Sequence, residues 1–217
     1  MGARSANMQL HKVISAAFQS LRAGNRGIIR PRTYASYAEY VAHQAAKLPT
    51  LDLSAYDEKF QRELAARLRN IPIVRSGASV LCLGARSGAE CKAFISLGCF
   101  VAGIDLNPGP GNRHVMVGDF HDLQFADESV DIVYTNALDH ALVLDRVLSE
   151  VHRVLRRNGH FVAEIVDPTV RGPGEYESLW WNDLHDVERV IQKQTFSVLQ
   201  STPFTYPWQG MQMVFVK

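Results

Sequence analysis

The chain has 217 residues, 47% hydrophobic and 21% charged, with 23 Lys/Arg against 22 Asp/Glu and a formal net charge of +1. This length and balance fit one globular domain with an added segment. They exclude a highly charged disordered chain and a polyanion binder driven by bulk charge. No apolar run approaches the roughly 18 residues that a membrane span needs. The three cysteines, Cys82, Cys91 and Cys99, are too few for a disulfide scaffold and have no metal-ligand spacing.

Charge is unevenly spread. Residues 1–77 hold 12 Lys/Arg against 5 Asp/Glu, and the remainder holds 11 against 17. Six basic residues precede the first acidic one, Glu39. Such a start reads as a basic helix docked on an acidic domain, or alternatively as a mitochondrial transit peptide. With two cysteines inside apolar segments, a reducing, cytoplasmic location is expected, and the mitochondrion is the alternative.

Leu10, Val13, Ile14, Ala17, Phe18 and Leu21 recur at helical spacing, and Gly24 and Gly27 stop that helix. Ser36 with Glu39 is a capping-box pattern opening a helix to about Leu48, with Tyr37, Tyr40 and Val41 on one face. Ser54 and Asp57 open a third, whose buried stripe is Tyr56, Phe60, Leu64 and Leu68. Residues 1–77 are therefore expected to form an N-terminal helical extension or lid, and 78–217 a separate ligand-binding domain.

From Ala78 the pattern alternates. Val80–Leu83 is a continuous apolar run ending in Gly84, as in a strand buried on both faces. Gly88–Leu97 reads as a helix, Phe100–Ile104 as a strand ending at Asp105, and Val115–Val117 as a short strand before Gly118-Asp119. Val130–Tyr134 is a fourth strand, running into Thr135-Asn136. Leu144 to Leu155 trace a helix that Asn158-Gly159 should terminate. Phe161–Val166 is a fifth strand, Asp183–Gln194 a helix, and Phe196–Leu199 and Met211–Val216 the last two strands. This order predicts an α/β fold: a doubly wound, Rossmann-like, mostly parallel seven-stranded sheet with an antiparallel C-terminal hairpin, plus N-terminal helices. In such sheets the ligand lies at the carboxyl ends of the strands. That puts Gly84, Ala85, Arg86, Ser87, Gly88, Asp105, Leu106, Asp119 and Asn136 on one rim.

A glycine-bounded loop lets the chain pass close to a ligand, and the next helix offers free backbone N–H groups. Asp105, 21 positions after Gly84, can accept hydrogen bonds from two ribose hydroxyls. Gly118-Asp119-Phe120 offers a carboxylate to an adenine amino group and a ring to its face. With Phe125–Tyr134 and Thr135–His140 following in order, residues 78–217 resemble the class I S-adenosylmethionine-dependent methyltransferases, best over 79–166. The resemblance implies S-adenosyl-L-methionine as cofactor, held by the rim residues and Phe120. It also implies a methyl acceptor that is a small molecule or a sugar-containing compound, with no metal and no nucleic acid partner. The basic N-terminal part favours an anionic substrate.

Two positions depart from the family. It usually has an acid where Cys82 stands and a glycine where Arg86 stands. Arg86 either pairs with the methionine carboxylate or an anionic substrate group, or points to solvent, or marks a degenerate site. The competing readings are accordingly a non-catalytic binding module and an NAD-dependent oxidoreductase. His140, just beyond the fourth strand, is the candidate base, with helix-start hydrogen bonding as its other role. Asp139 beside it is a candidate catalytic group and also a helix N-terminal residue. His121 and Asp167 are read as structural or substrate-facing. Tyr34, Tyr37 and Tyr40 are candidates for a lid, and Trp180, Trp181, Tyr206 and Trp208 for an aromatic wall or for hairpin packing.

Overall fold

The computed structural model describes residues 29–47, 54–109 and 111–217. The helix expected over 10–21 lies outside the described residues. In chain order the elements are β1 Ile29–Pro31, α1 Tyr37–Ala45, α2 Ser54–Leu68, β2 Ser79–Leu83, α3 Ala89–Ile95, β3 Phe100–Asp105 and β4 Val115–Val117. There follow β5 Val130–Thr135, a 3-10 turn at Leu138–His140, α4 Leu144–Val154, β6 Leu155–Val166, β7 Leu179–Trp181, α5 Leu184–Gln192, β8 Ser197–Phe204 and β9 Gly210–Val216.

Seven strands form one sheet in the order β4-β3-β2-β5-β6-β9-β8. β4 to β6 are mutually parallel, and β9 runs antiparallel between β6 and β8. The expected α/β sheet and its C-terminal hairpin are both present. The period-two alternation of β2 divides the core. Leu81 and Leu83 pack with Val147, Leu148, Val151 and Val154 of α4 and with Val187 and Ile191 of α5. Val80 and Cys82 pack on the opposite face with Phe60, Leu64 and Leu68 of α2 and Phe94 of α3. The buried stripe expected of the third helix is therefore in the sheet's own core.

A buried polar network ties α2 to the sheet. Glu164, 2% exposed, accepts from Arg67 Nε and Nη2, both at 2.9 Å, from Tyr134 Oη at 3.0 Å and from Gln212 Nε2 at 2.8 Å. Each lone-pair direction of a desolvated carboxylate thus meets a donor.

Two features differ from expectation. α4 stops at Val154, and Asn158-Gly159 does not cap it. The chain enters β6 at once because Leu155 pairs with Val130. The register then shifts so that Ile132 faces His160. Asn158, at φ 58°, turns the intervening bulge. Second, β1 and β7 make a small antiparallel sheet, with Ile29 opposite Trp181 and Arg30 opposite Trp180. It joins residues some 150 positions apart.

Candidate active site

Those carboxyl ends border a cavity of about 670 Å³. Gly84, Arg86, Asp105, Leu106, Phe120 and Asn136 line it, and so do Asp139 and His140. Ala85, Ser87, Gly88 and Asp119 do not line it.

The first loop is held by its own backbone. Gly84 sits at φ 67°, and a Cβ there would lie 2.7 Å from the Ala137 Cβ, so the position demands glycine on both counts. Arg86 is at φ 40°, a conformation that costs a side-chain-bearing residue energy. Its N–H donates to Asp105 Oδ2 at 2.9 Å, and its carbonyl accepts from Asn112 Nδ2 at 2.9 Å. Asp105 Oδ1 accepts from the Asn107 N–H at 2.7 Å. The end of β3 therefore fixes the loop, and the Arg86 side chain lines the cavity with no carboxylate paired to it among the described residues.

Asp119 is engaged elsewhere. It accepts from His121 N at 2.8 Å, from His121 Nδ1 at 2.6 Å and from the Tyr37 hydroxyl. Burial alone would raise its pKa. The His121 ring and these hydrogen bonds outweigh that and hold the carboxyl below its usual range. His121 Nε2 in turn accepts from the N–H groups of Leu142 and Val143 at 3.1 and 3.2 Å. His121 is thus structural, and joins the end of β4 to the segment entering α4. Tyr34, also buried, bonds His43 Nδ1 and Ser178 Oγ, both at 2.8 Å. Of the three tyrosines only Tyr40 lines the cavity.

A polar cluster surrounds His140 on the cavity's lining. His140 Nδ1 lies 3.0 Å from the Tyr176 carbonyl. A carbonyl only accepts, so Nδ1 carries the proton and Nε2 presents the lone pair. Lys47 Nζ donates to Nε2 at 2.8 Å. These two contacts describe a neutral ring, and burial pushes the His140 pKa down in the same direction, as does Lys47 when protonated. Burial lowers the pKa of Lys47, against the pull of Asp139 and with the repulsion of Arg86. Burial pushes Asp139 up to about 6, partly offset by Lys47. Glu90, in the first turn of α3, is 4% exposed and accepts from Asn136 Nδ2 at 3.3 Å. Its burial pushes it up to about 7.

Sequence reasoning missed Lys47, Glu90, Arg171 and Glu177. The signal for Lys47 was present. Tyr40, Gln44 and Lys47 follow helical spacing and all line the cavity. Trp180, Trp181 and Trp208 line it, Trp181 as part of the core with its indole N–H on the Val166 carbonyl, and Tyr206 does not line it but packs on Tyr56, which does. Asp167 caps its own turn through Thr169 N and Oγ1 at 2.9 and 2.7 Å. Among the described residues no group of three His, Cys, Asp or Glu could hold a metal ion, and no helix is long and apolar enough to cross a membrane.

A family profile described as a methyltransferase domain matches residues 81–163, which span β2 to the middle of β6. Over that segment the chain is similar to methyltransferase domains. A sterol 24-C-methyltransferase of Gibberella zeae is 32% identical over 160 residues, covering 64% of this chain and 38% of that protein. A malonyl-[acyl-carrier protein] O-methyltransferase of Methylococcus capsulatus is 36% identical over 96 residues, covering 43% and 35%. The chain thus spans well under half the length of the curated relatives it matches. In fold it is similar to a Burkholderia thailandensis 1,6-didemethyltoxoflavin-N1-methyltransferase solved with S-adenosylhomocysteine. That match has a TM-score of 0.68 at 20% identity, over 87% of this chain and 94% of that one.

Proposed function

We propose that the methyltransferase domain binds S-adenosylmethionine and methylates a small molecule in this cavity. The observation that carries the reading is the convergence of Gly84, Arg86, Asp105, Phe120 and Asn136, from the ends of β2, β3, β4 and β5, on a single cavity. The residues fit the cofactor. Gly84 lets the loop pack directly on Ala137, where a Cβ would clash, and so keeps the backbone at the cavity's edge. Arg86 would meet the methionine carboxylate, Asp105 the ribose hydroxyls and Phe120 the adenine face. Cys82, where the family has an acid, is fully buried under the loop. Glu90 supplies a carboxylate nearby by fixing the Asn136 amide, which turns the Asn136 carbonyl oxygen toward the methionine amino group.

When bound, the cofactor supplies an electrophilic methyl group. The chain's contribution is alignment, exclusion of water and removal of a proton. His140 is anchored by the Tyr176 carbonyl and holds Lys47 through Nε2. Lys47 Nζ, whose neutral form burial favours, is the atom that takes the proton of an O–H or N–H acceptor, and His140 positions it. Asp139 stabilises the ammonium so formed.

The test is incubation with methyl-labelled S-adenosylmethionine and a cell extract filtered to small molecules. Label in the small-molecule fraction, lost in an Asp105→Ala variant, is expected. A protein that binds the cofactor yet labels nothing, or labels only added macromolecules, contradicts the reading.

A further inference from the structure

Among the described residues three buried side-chain polar atoms have no hydrogen-bond partner: Asp139 Oδ1, Glu177 Oε2 and Trp208 Nε1. All three residues line the one cavity. Buried polar atoms are almost always paired, because an unpaired one keeps its full desolvation cost. Three such atoms on residues that line a single space mark a place where a ligand supplies the partners.

The fold ties two of these residues to one another through the backbone. The Ser178 N–H donates to the Asp139 carbonyl at 2.7 Å, which brings Glu177 against the 3-10 turn. Arg32 secures the same segment, with Nε on the Glu177 carbonyl at 2.9 Å and Nη2 on the Gly174 carbonyl at 3.1 Å. Gly174 leaves the room that the Glu177 carboxylate occupies, since a Cβ there would lie 2.4 Å from Oε2. Glu177 is 9% exposed, and Arg171 Nη2 approaches its other oxygen at 3.4 Å, so Oε2 is buried without a hydrogen-bond partner. Asp139 Oδ1 lies 3.8 Å from His140 Nε2, a nitrogen that carries no proton to give. Trp208 has the opposite need: its indole N–H is a donor without an acceptor.

We propose that the methyl acceptor is a cyclic amine or alcohol with two hydrogen-bond donors, given to Asp139 Oδ1 and Glu177 Oε2, and a lone pair that accepts from Trp208 Nε1. A hydrocarbon acceptor would leave both carboxylate oxygens desolvated and unpaired. The rings of Trp180 and Trp208 on the same cavity suit a flat body between the polar contacts. The cavity's 670 Å³ must also hold the cofactor, so the acceptor is small. The inference rests on the methyltransferase reading and specifies the acceptor within it.

The test uses resorcinol and 1,3-dimethoxybenzene, which share one ring and differ in two O–H donors. Each is titrated into protein saturated with S-adenosylhomocysteine, with calorimetry and tryptophan fluorescence as readouts. Resorcinol should bind at least tenfold more tightly than the ether. Glu177→Leu should weaken resorcinol by about tenfold to a hundredfold, the range for hydrogen bonds to charged groups, and Trp208→Phe by about threefold to tenfold. Both variants should keep their affinity for S-adenosylhomocysteine, which also shows that they fold. Equal binding of the two probes, no binding of resorcinol to the loaded protein, or resorcinol affinity unmoved by both substitutions would overturn the acceptor assignment alone. Failure of the unsubstituted protein to bind S-adenosylhomocysteine would instead overturn the parent reading.

Discussion

Replacing Arg86 by glycine separates its cost to the fold from its service to the cofactor. At φ 40° the residue pays the left-handed penalty, about 1–2 kcal/mol for a side-chain-bearing residue. Glycine removes that penalty but adds freedom to the unfolded chain, worth about 0.4–1 kcal/mol. The loop's anchors, Arg86 N to Asp105 and Arg86 O to Asn112, are backbone groups that survive the change. The net effect on stability is therefore between zero and about +1.5 kcal/mol, a rise in Tm of up to about 5 °C for a chain of this size. Cofactor affinity should move the other way. Loss of a charged hydrogen bond to the methionine carboxylate, about 1.5–3 kcal/mol, weakens S-adenosylhomocysteine by about tenfold to 150-fold. Thermal denaturation of the free protein and calorimetry with S-adenosylhomocysteine read the two terms independently. A fall in Tm of several degrees would mean that the guanidinium braces the fold. Unchanged affinity would remove Arg86 from the cofactor site.

Three further predictions follow from the same geometry. Arg67→Met strands the Glu164 carboxylate in the core, so denaturant unfolding should show a loss of about 3–5 kcal/mol; a loss below about 1 kcal/mol would refute the network's role. Gly84→Ala combines a left-handed penalty of about 1–2 kcal/mol with a Cβ 2.7 Å from that of Ala137, an overpacking cost of about 1–3 kcal/mol. It should lower stability and abolish S-adenosylhomocysteine binding, and wild-type behaviour in both assays would contradict the close fit of the loop. The pKa of Glu90, raised by burial to about 7, means that the native state binds its proton more tightly than the unfolded state does. Its ionisation therefore costs stability as pH rises from about 4.5 to about 7, by up to about 3 kcal/mol. Relative to wild type, Glu90→Gln should gain stability across that window and hold the gain above it; a difference independent of pH would show that Glu90 is not perturbed.

The parts of the fold legible in the sequence are those whose burial is uniform along a short segment. Val80–Leu83 and Ile132–Tyr134 are flanked by core on both faces, so they read as unbroken apolar runs, and their ends gave Gly84 and Asn136 directly. The small sheet was not legible. Ile29-Arg30-Pro31 and Leu179-Trp180-Trp181 have no alternation, and only pairing across some 150 positions makes them strands. Asn158-Gly159 is a turn signal whether it ends a helix or turns a bulge, and the contact of Leu155 with Val130 decides between them. The carboxylate of Asp119 was expected to face adenine. The hydroxyl that occupies it belongs to Tyr37, 82 positions earlier, which no local spacing reveals. Lys47 could have been found from its helical spacing to Tyr40 and Gln44. Arg171 and Glu177 could not, because the segment between β6 and β7 has no period to read.

The most direct test of the account is calorimetric titration of the purified chain with S-adenosylhomocysteine, with NAD as control. The account predicts micromolar binding of the first at one site per chain and none of the second. Binding of NAD, or of neither, would contradict it.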